Sequence, residues 1–132
     1  MAEAAVQTKK TTYVAAINEA IRIVLTEQPD AFAAGEDIGG AGGVYGYFTG
    51  LQQEFGEDRV FDTPISECGI IGVAVGMGAY GLRPIPEIQF ADYIYPGLDQ
   101  LISEAARLRY RSATDYISPM TVRSPFGGGI FG

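Results

Sequence analysis

The chain has 132 residues, of which 47% are hydrophobic and 19% charged, enough apolar material for the core of one domain. Its net charge of −7 argues against a nucleic-acid surface, which needs a basic excess to track phosphates. With no histidine and one cysteine, Cys68, it can build no intrachain disulfide, no cysteine–histidine catalysis and few zinc sites, so its chemistry rests on carboxylates, backbone groups or a cofactor.

No window approaches the ~20 consecutive apolar residues of a membrane span. Residues 1–12 carry Lys9 and Lys10, no arginine and no apolar stretch, so they read as neither a secretory signal nor a mitochondrial presequence. A bacterial cytoplasmic location is the expectation, with the mitochondrial matrix as the weaker alternative.

Residues 1–11 read as a flexible N-terminus. Thr11 or Thr12 caps a helix running to Glu27, in which Val14, Ile17, Ile21, Val24 and Leu25 fall on one stripe. Pro29-Asp30 ends it, and Ala31–Ala34 is a short apolar run suited to a buried strand. Six glycines in the twelve residues 35–46 mark a loop that bends sharply or approaches something closely. That loop lacks the Gly-Lys-Ser/Thr ending of a phosphate loop. Within it Glu36-Asp37 reads as a solvated acidic pair, with cation binding as the alternative. A short helix is predicted over 50–55 and a strand over 59–61.

The turn Asp62–Glu67 then opens a helix of small residues from Ser66 to Tyr80. Glu67 admits two readings: a cap for free amides, favoured by the helix dipole, or a carboxylate placed to exchange a proton with a ligand. Gly69, Gly72 and Gly76 share a face, each costing ~1 kcal/mol against alanine inside a helix, so the expected benefit is close approach by another helix of this or another chain. Gly81–Pro84 breaks the helix, and Ile85–Gln89 reads as a strand. Phe90, Tyr93 and Tyr95 follow in an aromatic loop at that strand's C-terminal end, where open α/β sheets bind ligands. They serve either core packing or stacking on a flat heterocycle. Pro96 starts a third helix to Arg111, whose Arg107, Arg109 and Arg111 either complement the helix dipole or meet an acidic partner. Residues 112–119 connect to a last strand, Met120–Arg123, and a glycine-rich end. Helices alternating with short apolar strands predict an α/β fold, a parallel sheet with helices on both faces.

Several ordered segments resemble one family. Gly35-Glu36-Asp37-Ile38-Gly39, Gly42-Gly43-Val44, the run Asp58–Glu67, Glu87–Pro96 and Arg109-Tyr110-Arg111-Ser112 are similar to the beta subunit of the thiamine-diphosphate-dependent 2-oxo acid dehydrogenases, of branched-chain, pyruvate or acetoin type. The resemblance runs from about Tyr13 to the last residue. It implies the thiamine-diphosphate-binding fold, with residues 12–132 an incomplete pyrimidine-binding domain and the C-terminal transketolase-like domain absent. It implies oxidative decarboxylation of a 2-oxo acid, branched-chain (2-oxoisovalerate) or pyruvate, with the acyl group passed to lipoamide. The implied assembly pairs two alpha with two beta subunits and docks on a lipoyl acyltransferase core. The alpha subunit holds the diphosphate through magnesium.

Carried over by residue, Glu67 matches the glutamate facing the aminopyrimidine ring nitrogen. There its carboxyl favours the tautomer that accepts the thiazolium carbon's proton. Tyr93 matches an aromatic beside the pyrimidine, and Ile65 an apolar neighbour. Ser118, Met120 and Thr121 match a segment that holds a structural potassium ion in some members, though Ser118 and Pro119 depart from the usual pattern. The family continues with a histidine that this sequence lacks, so the chain alone is expected to be inactive and poorly soluble. The alternatives are a non-catalytic fragment acting only in subunit association, an acetoin dehydrogenase, or a transketolase-like enzyme acting on sugars. The wording of residues 87–96 counts against the last.

Overall fold

The computed structural model of the chain describes residues 8–127 and 129. Most of the expected flexible N-terminus and most of the final glycine-rich stretch lie outside the described residues. Helix α1 spans Tyr13–Glu27, and the Thr12 hydroxyl accepts from the Ala15 N–H at 3.2 Å, the capping bond predicted from sequence. Ile21 and Leu25 bury its stripe. Its last turn has no basic residue of its own. Arg59 takes that place, donating to the carbonyls of Leu25, Gln28 and Ala31 and tying the helix end to the sheet.

Three parallel strands follow: β1 (Ala31–Gly35), β2 (Val60–Asp62) and β3 (Arg83–Glu87), in the order β2-β1-β3. β1 is buried at all five positions, as a central strand covered on both faces must be. One face carries α1, Ile38, Phe48 and the short helix α2 (Leu51–Phe55). The other carries α3 (Glu67–Ala79), which packs Ile70, Ile71 and Val75 with Ile88.

β3 begins two residues earlier than the sequence predicts. Pro84, expected to break the preceding helix, lies inside it together with Pro86, which the predicted strand already contains. Their carbonyls face the next segment and accept from the Thr121 and Arg123 N–H groups at 3.0 and 2.9 Å. Neither proline has an N–H to return. Only Ile88 donates back, to the Arg123 carbonyl at 2.8 Å. The predicted strand Met120–Arg123 is therefore an extended edge segment with one formal bridge, Glu87 to Arg123.

The predicted helix 96–111 is not uniform. A 3₁₀ turn covers Ala91–Gly97, a widened π stretch covers Gln100–Ala105, and α4 covers Leu108–Arg111. Arg111 reaches back to the Glu104 carboxylate at 3.1 Å, while Tyr110 is 90% exposed. Gly97 is the point of closest approach between the 3₁₀ turn and α3: a Cβ there would lie 2.9 Å from Ile71 Cγ1 and 3.2 Å from the Glu67 carbonyl oxygen.

The glycines of α3 do not share one neighbour. Gly72 faces Gln100 of the same chain, Gly69 faces its own cap Ser66, and Gly76 meets nothing within 4 Å. Among these glycines the closest approach to a segment outside the helix and its cap belongs to Gly78, where a Cβ would stand 3.0 Å from Ser118 Oγ. No helix of the described residues is long and apolar enough to cross a membrane.

Candidate functional site

Parallel strands deliver their C-terminal ends to one edge of the sheet, and the chemistry-bearing side chains gather there. Glu36 follows β1, Asp62 and Thr63 end β2, and Glu87, Gln89 and Phe90 end or follow β3. Glu67 begins α3 at the same edge. Two bonds tie the strand ends together. Thr63 N–H donates to the Gly35 carbonyl at 3.0 Å, and Gly39 N–H donates to the Asp62 carboxylate at 2.6 Å.

The helix cap at α3 is Ser66, whose hydroxyl accepts from Gly69 N–H at 3.3 Å. Glu67 occupies the first turn without acting as the cap. Its half-buried side chain makes no hydrogen bond among the described residues, so the carboxylate is left available to a ligand.

Glu67 stands close enough for its charge to be felt by Glu36. It is not solvated, contrary to the sequence reading: it is 7% exposed, and its Oε1 finds no partner among the described residues. Burial first, then the Glu67 and Asp37 charges, raise its carboxyl above the ordinary range. Asp37 is the exposed member of the pair, held at φ 57° and accepting from the Gln89 amide at 3.1 Å. Thr63 Oγ1 is a second buried polar atom lacking a partner. A buried acceptor without a donor is costly, and two at one edge beside a free carboxylate suit a polar ligand. Among the described residues, no group of three or more histidine, cysteine or acidic side chains is arranged to hold a metal ion.

The flanks of this edge are apolar and open. Ile65 is 85% exposed and Tyr93 49% exposed. Phe90 stacks edge-on to Tyr93, with ring centres 5.5 Å apart. The approach at Gly97 brings the turn that carries Tyr93 against the first turn of α3, which carries Glu67.

Ser118, Met120 and Thr121 lie elsewhere. Thr121 pairs with the start of β3, Met120 packs beneath α3, and Ser118 sits against Gly78 near the far end of that helix. The thirteen residues of α3 at 1.5 Å each separate that end from Glu67 by roughly 18 Å. Ser118 Oγ is buried without a partner. An apolar groove of about 410 Å³ between α3 and β2, lined by Phe32, Phe61, Val73 and Met77, reaches the site edge at Asp62, Thr63 and Ser66 and offers no titratable group beyond Asp62.

Residues 9–132 match the family described as transketolase, pyrimidine binding domain. The chain is 63% identical over 121 residues to the 2-oxoisovalerate dehydrogenase subunit beta of Pseudomonas aeruginosa, covering 92% of this chain and 35% of that one. It is 49% identical to the subunit of the same name from Bacillus subtilis, over 92% of this chain and 37% of that one. It is 50% identical to the pyruvate dehydrogenase E1 component subunit beta of Bacillus subtilis, over 90% of this chain and 37% of that one. The chain thus spans little more than a third of the length of these curated relatives.

Proposed function

Because the chain belongs to the transketolase pyrimidine-binding domain family, we propose that it supplies the aminopyrimidine-binding half of a thiamine diphosphate site in the decarboxylating component of a 2-oxo acid dehydrogenase. The observation that carries this reading is the free Glu67 carboxylate at the head of α3, beside the buried Glu36, whose carboxyl burial raises above the ordinary range. The orphaned Glu36 Oε1 and Thr63 Oγ1 fit a ligand with polar ring atoms, and exposed Ile65 and Tyr93 offer apolar surface to a flat heterocycle. Bound thiamine diphosphate supplies the electron sink for decarboxylation, which no side chain here can provide.

The chain's own residues bind and orient. Glu67 holds a proton against a ring nitrogen. Ile65 and Tyr93 exclude water from the ring faces. The substrate is a 2-oxo acid, either branched-chain (2-oxoisovalerate) or pyruvate, and the higher identity to a 2-oxoisovalerate dehydrogenase supports the former. The partners are an alpha subunit holding magnesium and the diphosphate, a second beta subunit and a lipoyl acyltransferase core, in the bacterial cytoplasm. Ser118, Met120 and Thr121 would hold a structural potassium ion, a role the orphaned Ser118 Oγ supports.

The test is Glu67→Gln in the full-length chain assembled with its partners. Gln keeps a hydrogen bond but cannot share a proton. Exchange of the thiazolium carbon proton should slow by about 10²-fold or more, the ordinary contribution of a positioned acid–base group. Exchange at the wild-type rate would remove Glu67 from this role.

A further inference from the structure

A line of contacts runs from the sheet edge to Tyr93, and neither the sequence motifs nor the proposed cofactor contacts account for it. It begins at the buried Glu87–Arg123 contact. Glu87, 4% exposed at the end of β3, accepts from the Arg123 guanidinium across the single bridge that joins β3 to the edge segment. The same guanidinium lies over the Tyr47 ring, 4.7 Å from its centre, and 5.6 Å from that of Phe48. Tyr47 contacts Tyr45 at 5.9 Å between centres, Tyr45 meets Phe90 edge-on at 6.1 Å, and Phe90 meets Tyr93 edge-on at 5.5 Å.

A second route runs through the backbone. Ile88 N–H donates to the Arg123 carbonyl at 2.8 Å, and Ala91 N–H donates to the Pro125 carbonyl at 3.2 Å. Both ends of the segment leading into the 3₁₀ turn are thus fixed to residues 123–125. The glycine loop is fixed too, because Asn18 donates to the carbonyls of Tyr47 and Thr49 from α1 at 2.9 and 3.1 Å.

We infer that the Glu87–Arg123 pair, acting through the rings of Tyr47, Tyr45 and Phe90, is a positioning device that sets the orientation of Tyr93. The geometry argues for a device over simple packing. Edge-on aromatic contacts are directional, so Tyr45 restricts the tilt of Phe90 and Phe90 that of Tyr93, while Tyr47 meets Tyr45 at a 52° tilt. The guanidinium plane is fixed in turn by Glu87, a partner too buried to turn away. Tyr45 is half-buried and its hydroxyl has no hydrogen bond among the described residues, so its contribution is its ring. Tyr93 itself is half exposed and has no hydrogen bond from its side chain among the described residues, so its orientation depends on Phe90 behind it. The consequence for thiamine diphosphate rests on the proposed function, while the orientation of Tyr93 does not.

The experiment uses the full-length chain with its partners, labelled with 3-fluorotyrosine, the Tyr93 fluorine resonance being assigned by its loss in Tyr93→Phe. Tyr45→Leu and Arg123→Lys should each displace that resonance and weaken thiamine diphosphate binding, measured by calorimetry, by about fivefold, the equivalent of one aromatic contact. Tyr45→Phe keeps the ring and should leave both unchanged. Arg59→Lys disturbs the three carbonyls at the opposite end of the sheet and should cost stability without moving the resonance. A Tyr93 resonance that stays in place in both Tyr45→Leu and Arg123→Lys, or that moves equally in Arg59→Lys, overturns the inference. If the resonance moves as expected but the wild-type assembly binds no thiamine diphosphate, the positioning device stands and the cofactor reading fails.

Discussion

Gly97 is where the backbone carrying the aromatic side chains is allowed to reach the helix carrying Glu67, and Gly97→Ala tests that arrangement directly. The added Cβ would stand 2.9 Å from Ile71 Cγ1, 3.2 Å from the Glu67 carbonyl oxygen and 3.6 Å from Ile71 Cβ. Ile71 is fully buried and cannot swing aside, and the carbonyl belongs to the backbone of α3. The 3₁₀ turn must therefore retreat, and overpacking of this kind costs ~1–3 kcal/mol.

Gly76→Ala is the matched control. It lies in the same helix with nothing within 4 Å of the new atom, so the gain in helix propensity should stabilise the isolated chain by up to ~1 kcal/mol. Urea unfolding of the two variants should move the midpoint in opposite directions without changing the slope. A Gly97→Ala chain within ~0.5 kcal/mol of wild type would refute the reasoning, since surface substitutions alone produce changes of that size.

Further tests follow from the buried groups. Burial lifts the Glu87 carboxyl from 4.5 to about 7 despite Arg123, so the folded chain keeps a proton there that the unfolded chain releases. Its contribution is present below about pH 4.5 and lost as pH rises to about 7; at ~1.36 kcal/mol per pH unit this is about 3 kcal/mol, and Glu87→Gln should flatten the stability–pH curve over that window in urea titrations at stepped pH. Glu36 is raised in the same direction, so Glu36→Gln should raise stability at pH 8 relative to pH 5, read by the same titration. Arg59→Met removes the donor to three carbonyls at the end of α1 and the start of β1, of which Gln28 keeps the Ala31 N–H, and a loss of ~2–3 kcal/mol is expected from thermal or urea unfolding. Asn18→Ala frees the carbonyls of Tyr47 and Thr49, and hydrogen exchange should show the glycine loop opening more often with α1 unaffected.

The elements that the sequence displays most clearly are those whose burial is one-sided or complete. α1 shows its stripe and its capping threonine, and β1 shows five small or apolar residues in a row. β3 is legible from Ile85 onward, and its start only after the sheet is known. Pro84 looks like punctuation, and Pro86 is unusual within the predicted strand, because an interior strand normally needs its N–H groups. They are tolerated because both face the edge segment, where the carbonyls alone hold Thr121 and Arg123. The same two prolines explain why residues 120–123, apolar enough for a strand, pair through a single bridge. The π stretch at 100–105 has no signal in the residue pattern, which reads as an ordinary helix face throughout.

The site divides along a similar line. Glu67 is visible because a motif surrounds it, and the structure adds the reason its side chain is free: Ser66, one residue earlier, is the helix cap. Glu36 was missed because an acidic residue between a glycine and an aspartate, inside a glycine-rich loop, has the composition of a solvated turn. The available signal was its place directly after a fully buried parallel strand, where the chain has not yet left the core. Burial follows the strand's C-terminal end rather than local composition, so Glu36 remains 7% exposed while Asp37 turns outward through a left-handed residue. Arg123 and Tyr45 carry no local signal at all. Their relation to Tyr93 exists only because the edge segment, the glycine loop and the turn after β3 converge at one end of the sheet. A reading by motif therefore picks out single side chains such as Glu67 and Tyr93, and the contacts that link Tyr93 to Arg123 emerge only from the packing.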